Sequence, residues 1–311
     1  MTLRARKGAP PRGALLVRRR VNTEEFAEFW RMQKCRVVRT PSCLWYSAWP
    51  FVFMSLPYHR AVVPTRSEVT RLLYRSPAAA IRYRDPTGTD GGLFVRSDRS
   101  YDLSSLERKA RNQTRRGLEQ CRIEQLDFAY LANHGPRLIE ESCRRQGRDP
   151  WAVTGEASWQ RYCRAASQFG DFEAWGSFVN GTLVAFLVAA LVEDHYSILH
   201  QSSASAALRH YPNNALAFTI TQQKLRLPEI GCVSYGLKSL DPTGGLDRFK
   251  LGMGYQIRPF GERVVLNPLL KCLATGFAQR LLRRMAQRHP EKDFWRKTSA
   301  GLDRLCGLPT G

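Results

Sequence analysis

The sequence is poor in acidic residues: 27 Asp and Glu stand against 48 Lys and Arg among 311 residues, a formal net charge of +21. Lysine is also scarce, because 39 of the basic residues are arginine and only 9 are lysine. An arginine bias of this size in a chain rich in alanine is typical of a GC-rich genome. The net charge alone therefore does not identify a nucleic-acid partner.

Paired cysteine motifs are absent as well. The 8 cysteines stand singly along the chain, without a Cys-x-x-Cys pair or a Cys/His spacing typical of zinc. Single scattered thiols are typical of a reducing compartment. We therefore expect free cysteines, no metal site and a cytoplasmic location.

Long apolar runs are missing. The first 20 residues hold seven basic residues, but their apolar stretch Ala14–Val17 is too short for a secretory signal. The longest stretch without charge, Thr40–Tyr58, has 19 residues and is interrupted by three prolines. Because it is rich in Trp and Tyr, we expect it to lie at a membrane interface or line an apolar groove, not to span a bilayer.

The remaining composition is that of a folded protein. Apolar residues make up 43% of the chain, which is enough to build a core. This composition excludes intrinsic disorder, collagen and coiled coil. The length fits one large domain or two of ordinary size.

The first hundred residues predict two segments. Residues 1–22 predict a basic flexible leader, and residues 23–100 a partial or degenerate first lobe that is mostly irregular. Within this lobe Thr23–Lys34 predicts a short helix capped by Thr23. Ala79–Arg84 and Gly92–Ser97 predict strands on either side of a turn.

Amphipathic spacing then predicts a helix over Asp102–Cys121, with Arg108, Arg111 and Arg115 together on its solvent side. After two further helices, the Asn180-Gly181 hairpin signal and apolar runs predict three antiparallel strands, a helix and a fourth strand. This order predicts an α+β fold with a mixed, mainly antiparallel sheet and helices packed on it. The predicted strands are Ala174–Val179, Thr182–Val192, His195–Ser202 and Cys232–Leu237, and the helix between the last two runs from an asparagine cap at Asn213 or Asn214 to about Leu227.

This order resembles the acyltransferase core of the GNAT superfamily (GCN5-related N-acetyltransferases), and three local patterns resemble its FemAB-like branch. Leu106–Gly117 is similar to the K-x-R-x-x-x-R-x-G segment of that branch. The strand–turn–strand Gly176–Ala189 is followed by a helix that starts near Asn213-Asn214. Gly245–Tyr255 is similar to the signature Phe-Lys-x-x-Phe/Met-Gly. The resemblance implies an acyltransferase domain over residues 101–265, followed by a basic helical tail over 266–311.

The sequence departs from that branch in two respects. Only fragments of a first GNAT lobe can be recognised in residues 23–100. The Gly-rich Q/R-x-x-G-x-G/A loop, by which GNAT enzymes hold the pyrophosphate of acyl-CoA, is missing. Both acyl-CoA and aminoacyl-tRNA therefore remain open as donors.

The resemblance implies that Lys250 is a cation near the reacting carbonyl or a phosphate, with Phe249 as a wall of the site. Lys238 and Asp241 lie between the last predicted strand and this pair, where Asp241 would position an ammonium or accept its proton. His200 is a candidate base. The structural alternatives are a solvated lysine, a turn-forming aspartate and a packed histidine.

Two features are candidates for binding donor phosphates. The first is the face formed by Arg108, Arg111 and Arg115, which would hold a nucleotide or an RNA backbone; its alternative is a solvated helix face. The second is the start of the helix at Asn213 and Asn214, whose free backbone N–H groups would bind a phosphate.

The sequence thus predicts an N-acyltransferase that moves an acyl group from acyl-CoA to a small-molecule amine. One alternative is an aminoacyltransferase that uses tRNA. Another is an inactive GNAT scaffold that binds anionic membrane or nucleic acid. A last basic helix, Pro268–Gln287, is predicted to pack on the domain or to dock on an anionic membrane. No obligate protein partner is expected.

Overall fold

Eleven strands form one sheet in the computed structural model, which describes residues 22–49, 51–76, 78–87, 91–147, 156–238, 245–271 and 284. The strands are β1 Val37–Arg39, β2 Leu44–Trp49, β3 Val52–Leu56, β4 Ala80–Asp85, β5 Gly91–Arg96, β6 Arg122–Leu126, β7 Phe172–Val179, β8 Thr182–Val192, β9 His195–Ser203, β10 Cys232–Leu237 and β11 Gln256–Leu266. The helices are α1 Thr23–Met32, α2 Arg66–Arg75, α3 Arg108–Gln120, α4 Phe128–Arg145, α5 Glu156–Ala166, α6 Pro212–Leu225, α7 Gly245–Gly252 and α8 Pro268–Lys271, with 3₁₀ turns at Leu103–Ser105 and Ser205–His210.

The strand order is β1-β2-β3-β4-β11-β5-β10-β9-β8-β7-β6. The pairs β3–β4 and β9–β10 are parallel, and every other neighbouring pair among the described strands is antiparallel. The predicted fold class, a mixed and mainly antiparallel sheet with packed helices, is confirmed.

Strand β8 lies in the middle of the larger half and is buried on both faces. Phe186 points into a core that α1, α4 and α5 cover, whereas Leu187 points into a second core that α3 and α6 cover. Because side chains alternate along a strand, one apolar run supplies both cores. This arrangement explains why β8 reads as a continuous apolar segment.

The residues before position 100 are more regular than predicted. They contain β1, β2, β3 and α2 in addition to the two predicted strands. Leu44–Trp49 and Val52–Leu56 lack a clear alternation because side chains on both of their faces are largely buried. The hairpin that joins them turns at Phe51, which has φ +62°, so no glycine marks the turn.

Strand β11, which no sequence pattern predicted, connects the two halves of the sheet. Its first residues pair with β5 and its last residues pair with β4. Strand β5, in turn, pairs with β10 of the predicted acyltransferase domain. The sheet is therefore continuous across the domain boundary expected near residue 100.

A polar cluster links the first lobe to the turn between β8 and β9. Glu193 accepts hydrogen bonds from Thr23 at 2.9 Å and Arg60 at 2.6 Å, and it lies 3.3 Å from His59. The rings of His59 and His195 stack with centroids 3.9 Å apart. The turn is thereby tied to both α1 and the segment after β3.

The helix predicted over Asp102–Cys121 is interrupted. Asp102 caps the 3₁₀ turn instead, Leu106 is extended, and α3 begins at Arg108. Helix α8 is the described start of the predicted closing helix. The rest of that helix apart from Arg284, and the predicted leader up to residue 21, lie outside the described residues.

Helices α3 and α6 approach closely at Gly117. A Cβ atom added there would lie 2.7 Å from the Tyr211 carbonyl oxygen and 3.1 Å from the Ala215 Cβ. The glycine that ends the Leu106–Gly117 pattern is therefore required by helix packing, which also sets the position of α3 over the start of α6.

We expect Gly117→Ala to lower the free energy of unfolding by about 1–3 kcal/mol, because the added methyl group overpacks the contact with Tyr211. At an unconstrained helix position the same change would stabilise the protein. Urea denaturation followed by circular dichroism measures the effect. Glu119→Ala, on the exposed side of α3, is the control, and a more stable Gly117→Ala protein would contradict the close approach.

A buried ion pair joins α6 to β7. Lys224 Nζ lies 2.6 Å from the Glu173 carboxylate, and both side chains are almost fully buried. Tyr196 Oη and Trp175 Nε1 also donate to Glu173, at 2.8 and 2.9 Å. Burial alone raises the pKa of Glu173, but Lys224 and these two donors hold it below its ordinary value.

A carboxyl group with a lowered pKa in the folded state stabilises the fold above its unfolded pKa, and this contribution disappears as the pH falls through the folded value. We therefore expect Glu173→Gln to reduce the loss of stability on acidification below about pH 4. Urea denaturation from pH 7 to pH 3 measures this, with Glu119→Gln as the exposed control. An unchanged pH dependence would show that the pair does not link stability to pH.

Candidate functional site

The parallel strands β9 and β10 are paired only at their beginnings, and we call the space between their carboxyl ends the cleft. His195–Ser197 pair with Cys232–Ser234, and the described register ends there although both strands continue. Each strand also has a register irregularity just beyond this point, β9 near Ile198 and β10 between Ser234 and Leu237. The described ladder therefore does not reach the carboxyl ends of the two strands, and the carboxyl ends of parallel strands are where open sheets bind ligands.

The irregularity of β10 aims Tyr235 across this cleft. Gly236 has φ +68°, a conformation that glycine adopts without strain. The Tyr235 hydroxyl donates to the side-chain oxygen of Gln201 on β9. Burial raises the pKa of Tyr235 well above its ordinary value, so its hydroxyl keeps its proton and acts as a donor.

Gln201 continues this bridge to the start of α6. Its amide nitrogen donates to the backbone and side-chain oxygens of Asn213, each at 3.1 Å. Asn213 in turn donates to Ser203 Oγ at 2.9 Å. The predicted site residue Asn213 therefore orients the polar wall of the cleft.

Lys250 lies at the other wall, on α7. It is 4% exposed, and its Nζ donates to the Leu237 carbonyl at 3.3 Å and lies 3.6 Å from Asp247. The ammonium sits over the rings of Phe94 and Tyr235, 4.5 and 5.6 Å from their centroids. The structure thus brings a buried cation to the edge of the cleft, where its cost in desolvation is offset by a carboxylate and two aromatic faces.

Phe249 and Lys238 flank this cation. The Phe249 ring meets the Tyr235 ring edge-on, with centroids 6.1 Å apart. Lys238 follows the carbonyl that binds Lys250, and its exposed side chain lies at the rim. The Gly245–Tyr255 pattern forms helix α7 and then turns at Met253.

His200 is not brought together with these residues. If side chains alternated regularly after Tyr196 and Ile198, His200 would lie on the same face of the sheet as Tyr235. The irregularity of β9 shifts this alternation by one residue. Gln201 occupies that face instead. His200 contacts Trp159 and Tyr162 edge-on at the opposite face of the sheet, with ring centroids 5.6 and 4.9 Å away, and its side chain is exposed there.

Asp241 lies outside the described residues. Asn214 is described and is buried, where its amide donates to Met253 Sδ at 3.5 Å. It therefore supports the packing of α6 against the end of α7. Neither asparagine caps α6, since the capping position is taken by Tyr211 in the left-handed conformation.

The start of α6 offers few backbone donors to a phosphate. Pro212 has no N–H group, and the N–H groups of Asn214 and Ala215 point to the Tyr211 carbonyl at 3.1 and 3.2 Å. Gly117 of α3 packs against that same carbonyl. The anion site expected at this helix end is thus partly occupied by the chain itself.

The three arginines of α3 have different surroundings. Arg108 and Arg115 are exposed. Arg111 turns back and donates to the carbonyls of Leu103, Ser104 and Leu106 at 2.9–3.2 Å. Its guanidinium is thus bound to the backbone of the segment that precedes α3. Of the predicted arginine face, only Arg108 and Arg115 remain open to a ligand.

Met253 joins the segments that carry the sequence patterns. Its sulfur accepts from Thr114 of α3 and Asn214 of α6, and its carbonyl accepts from Tyr101 at 2.8 Å. The Glu107 N–H donates to the Gly252 carbonyl at 3.0 Å beside it. The three distant patterns are therefore parts of one structure that holds Lys250 in place.

Sequence reasoning missed Gln201 and Ser203 and did not include Tyr235 among the predicted site residues. No motif marks them, because their position depends on two irregular strands. Among the described residues, no group of three or more His, Cys, Asp or Glu could hold a metal ion, and no helix is long and apolar enough to cross a bilayer.

The fold is similar to several solved structures. FemX shares it with a TM-score of 0.58 and 13% identity, over 80% of this chain and 93% of that chain. The C-terminal domain of a protein assigned as lysylphosphatidylglycerol synthetase from Agrobacterium fabrum has a TM-score of 0.54 and 12% identity, over 80% of this chain and 90% of that chain. L-PGS from Bacillus licheniformis has a TM-score of 0.50 and 11% identity, over 77% of this chain and 87% of that chain.

By sequence, no family model and no curated protein matches the chain. The structural similarity is nevertheless extensive, because it covers most of this chain and nearly all of each of these neighbours. The protein therefore has the fold of FemX, in agreement with the fold that the resemblance to the FemAB-like branch implies.

Proposed function

We propose that this protein is an N-acyltransferase that joins an activated acyl group to an amine in the cleft between β9 and β10. The observation that carries this proposal is the buried Lys250 ammonium at the edge of that cleft, 5.6 Å from the centre of the Tyr235 ring. The fold of FemX and of the lysylphosphatidylglycerol synthetase domain supports a transferase, because the second name denotes the attachment of a lysyl group.

The proposed reaction needs one bond formed and one broken. The amine nitrogen attacks the acyl carbon, the bond from that carbon to the donor sulfur or oxygen breaks, and the proton that the amine loses ends on that sulfur or oxygen. Lys250 would stabilise the negative charge that develops on the acyl oxygen. Tyr235, which keeps its proton, would donate a hydrogen bond to the leaving group.

Acyl-CoA is the donor that we favour. Where β9 and β10 separate, their facing edges offer backbone groups to an extended ligand, as an open sheet edge does to an added strand. An acyl-CoA carries its thioester on a narrow arm with two amide groups, which suits such a slot. The acceptor would be a small-molecule amine.

An aminoacyl-tRNA donor is the second candidate. It is favoured by the partly occupied start of α6, which leaves little room for pyrophosphate recognition there. Arg108 and Arg115 remain exposed on α3 and would contact a phosphate backbone.

Thiol release from acetyl-CoA with a panel of primary amines tests the proposal. We expect Lys250→Met to reduce kcat by about 10²-fold or more, because removing one donor to a developing oxyanion has an effect of this size. Methionine has a similar length and no charge, so it fits the buried site. The matched control is Lys109→Met on the exposed side of α3, which should keep wild-type activity.

Full activity of a folded Lys250→Met protein would remove this residue from the proposed chemistry. If acetyl-CoA neither raises the melting temperature of the wild type nor releases thiol, the donor assignment fails. A salt-sensitive affinity for tRNA that Arg108→Ala and Arg115→Ala both weaken would then establish the second candidate.

The dependence of kcat/KM on pH gives an independent test. Burial lowers the pKa of Lys250 below its ordinary value of 10.5, although Asp247 acts in the opposite direction. The cation is lost as the pH rises through this lowered pKa, so we expect kcat/KM to fall on an alkaline limb with its midpoint below 10.5. Tyr235 does not titrate in this range, because burial raises its pKa.

Lys250→Arg should move this limb to higher pH, since a guanidinium stays charged. Lys109→Arg is the control and should leave the midpoint unchanged. An alkaline limb that is identical in all three proteins would show that Lys250 does not set it.

A further inference from the structure

An exposed surface at the far edge of the first lobe combines apolar and basic side chains. We call it the docking tip and define it by Trp49, Phe51, Arg71, Tyr74, Arg75 and Leu269. Its four apolar members are between 42% and 68% exposed. Neither the core nor the candidate site uses any of them.

The docking tip is assembled where three elements meet. The Phe51 carbonyl accepts from the N–H of Ala79 at 2.7 Å, which ties the β2–β3 hairpin to the start of β4. Asn267 donates from its backbone to Ala79 at 2.8 Å and from its side chain to Leu73 at 3.2 Å. The hairpin turn, the end of α2 and the start of α8 therefore form one surface.

The basic members come from the outer face of α2. Arg66, Arg71 and Arg75 are exposed, and none of them has an ion-pair partner among the described residues. The only acid of this helix, Glu68, is buried and accepts from the backbone of Ser42 and Thr65. The outer face of α2 thus carries positive charge alone.

The sequence that follows α8 has the same sign. Residues 272–311 hold eight basic and three acidic residues. A tail with a positive net charge would be repelled by the positively charged face of α2. An anionic partner would attract both the tail and this face.

The apolar members favour a lipid interface over other anions. Phe51 and Leu269 are the most exposed of the four and have no polar group, whereas Trp49 and Tyr74 are amphipathic residues typical of the headgroup region. Phe51 is held outward at φ +62°, which is uncommon for a large side chain. Nucleic-acid phosphates would use the arginines but not Leu269.

We propose that the docking tip binds the surface of an anionic membrane, with Trp49 and Phe51 at the boundary between headgroups and acyl chains and the arginines of α2 on lipid phosphates. Binding of this kind combines buried apolar area with attraction to anionic lipids.

Sedimentation of the full chain with vesicles tests the proposal without reference to catalysis. We expect binding to vesicles of phosphatidylcholine mixed with phosphatidylglycerol, and at least about tenfold weaker binding to phosphatidylcholine alone. Trp49→Ser/Phe51→Ser and Arg71→Glu/Arg75→Glu should each weaken binding to the mixed vesicles by at least about tenfold.

The matched controls carry the same changes on other exposed residues. Leu118→Ser/Tyr130→Ser and Arg116→Glu/Arg144→Glu lie on α3 and α4 and should bind like the wild type. Brominated phospholipids report on depth: we expect them to quench part of the tryptophan emission of the wild type, and this part should be lost in Trp49→Phe.

Three results would overturn the proposal. The first is a wild type that does not bind anionic vesicles. The second is docking-tip variants that bind as tightly as the controls, which would assign binding to the leader or the tail. The third is variants that lose only affinity for tRNA or only self-association, which would assign the surface to a nucleic acid or to a second copy of the chain.

Discussion

The packing around Met253 is the constraint on which the candidate site depends. A fully buried thioether accepts from α3 and α6, and the neighbouring carbonyl accepts from Tyr101. These contacts set where α7 ends and therefore where Lys250 enters the cleft. A cation with 4% exposure needs this rigidity, because a small displacement from its carboxylate and aromatic neighbours would leave it desolvated without compensation.

Strand irregularity has an equally direct effect on the chemistry. If β9 and β10 had remained paired to their ends, the central sheet would be closed and Tyr235 would be an ordinary core residue. Gly236 and the register shift in β9 open the sheet and exchange Gln201 for His200 on the inner face. The polar wall of the cleft is thus a product of backbone geometry as much as of side-chain identity.

Much of the fold could be predicted from the sequence, because the Asn180-Gly181 turn and the apolar runs around it are strong local signals. The prediction of β8 and β10 agrees with the structure in both bounds. Strands β1, β2, β3 and β11 were missed. β1 has only three residues, and burial on both faces of β2 and β3 removes the alternation that reveals a strand. The partners of β11, strands β4 and β5, lie more than 150 residues away in the sequence.

The site was predictable only where a family pattern existed. Lys250 and Phe249 were found through such a pattern, and the structure brings them to the cleft. His200 was a wrong neighbour for them, because periodicity cannot reveal a bulge. Arg111 was grouped with Arg108 and Arg115 by helical spacing, but the break before α3 offers it three carbonyl oxygens that no sequence pattern announces.

The position of β11 has a consequence for how the chain acquires its structure. Strand β11 lies between β4 and β5 in the sheet. Although β4 and β5 are close in sequence, they are joined only through residues 256–266. Contacts of such long sequence separation form late. During synthesis the edges of β4 and β5 that face β11 therefore stay unprotected until residues 256–266 have left the ribosome.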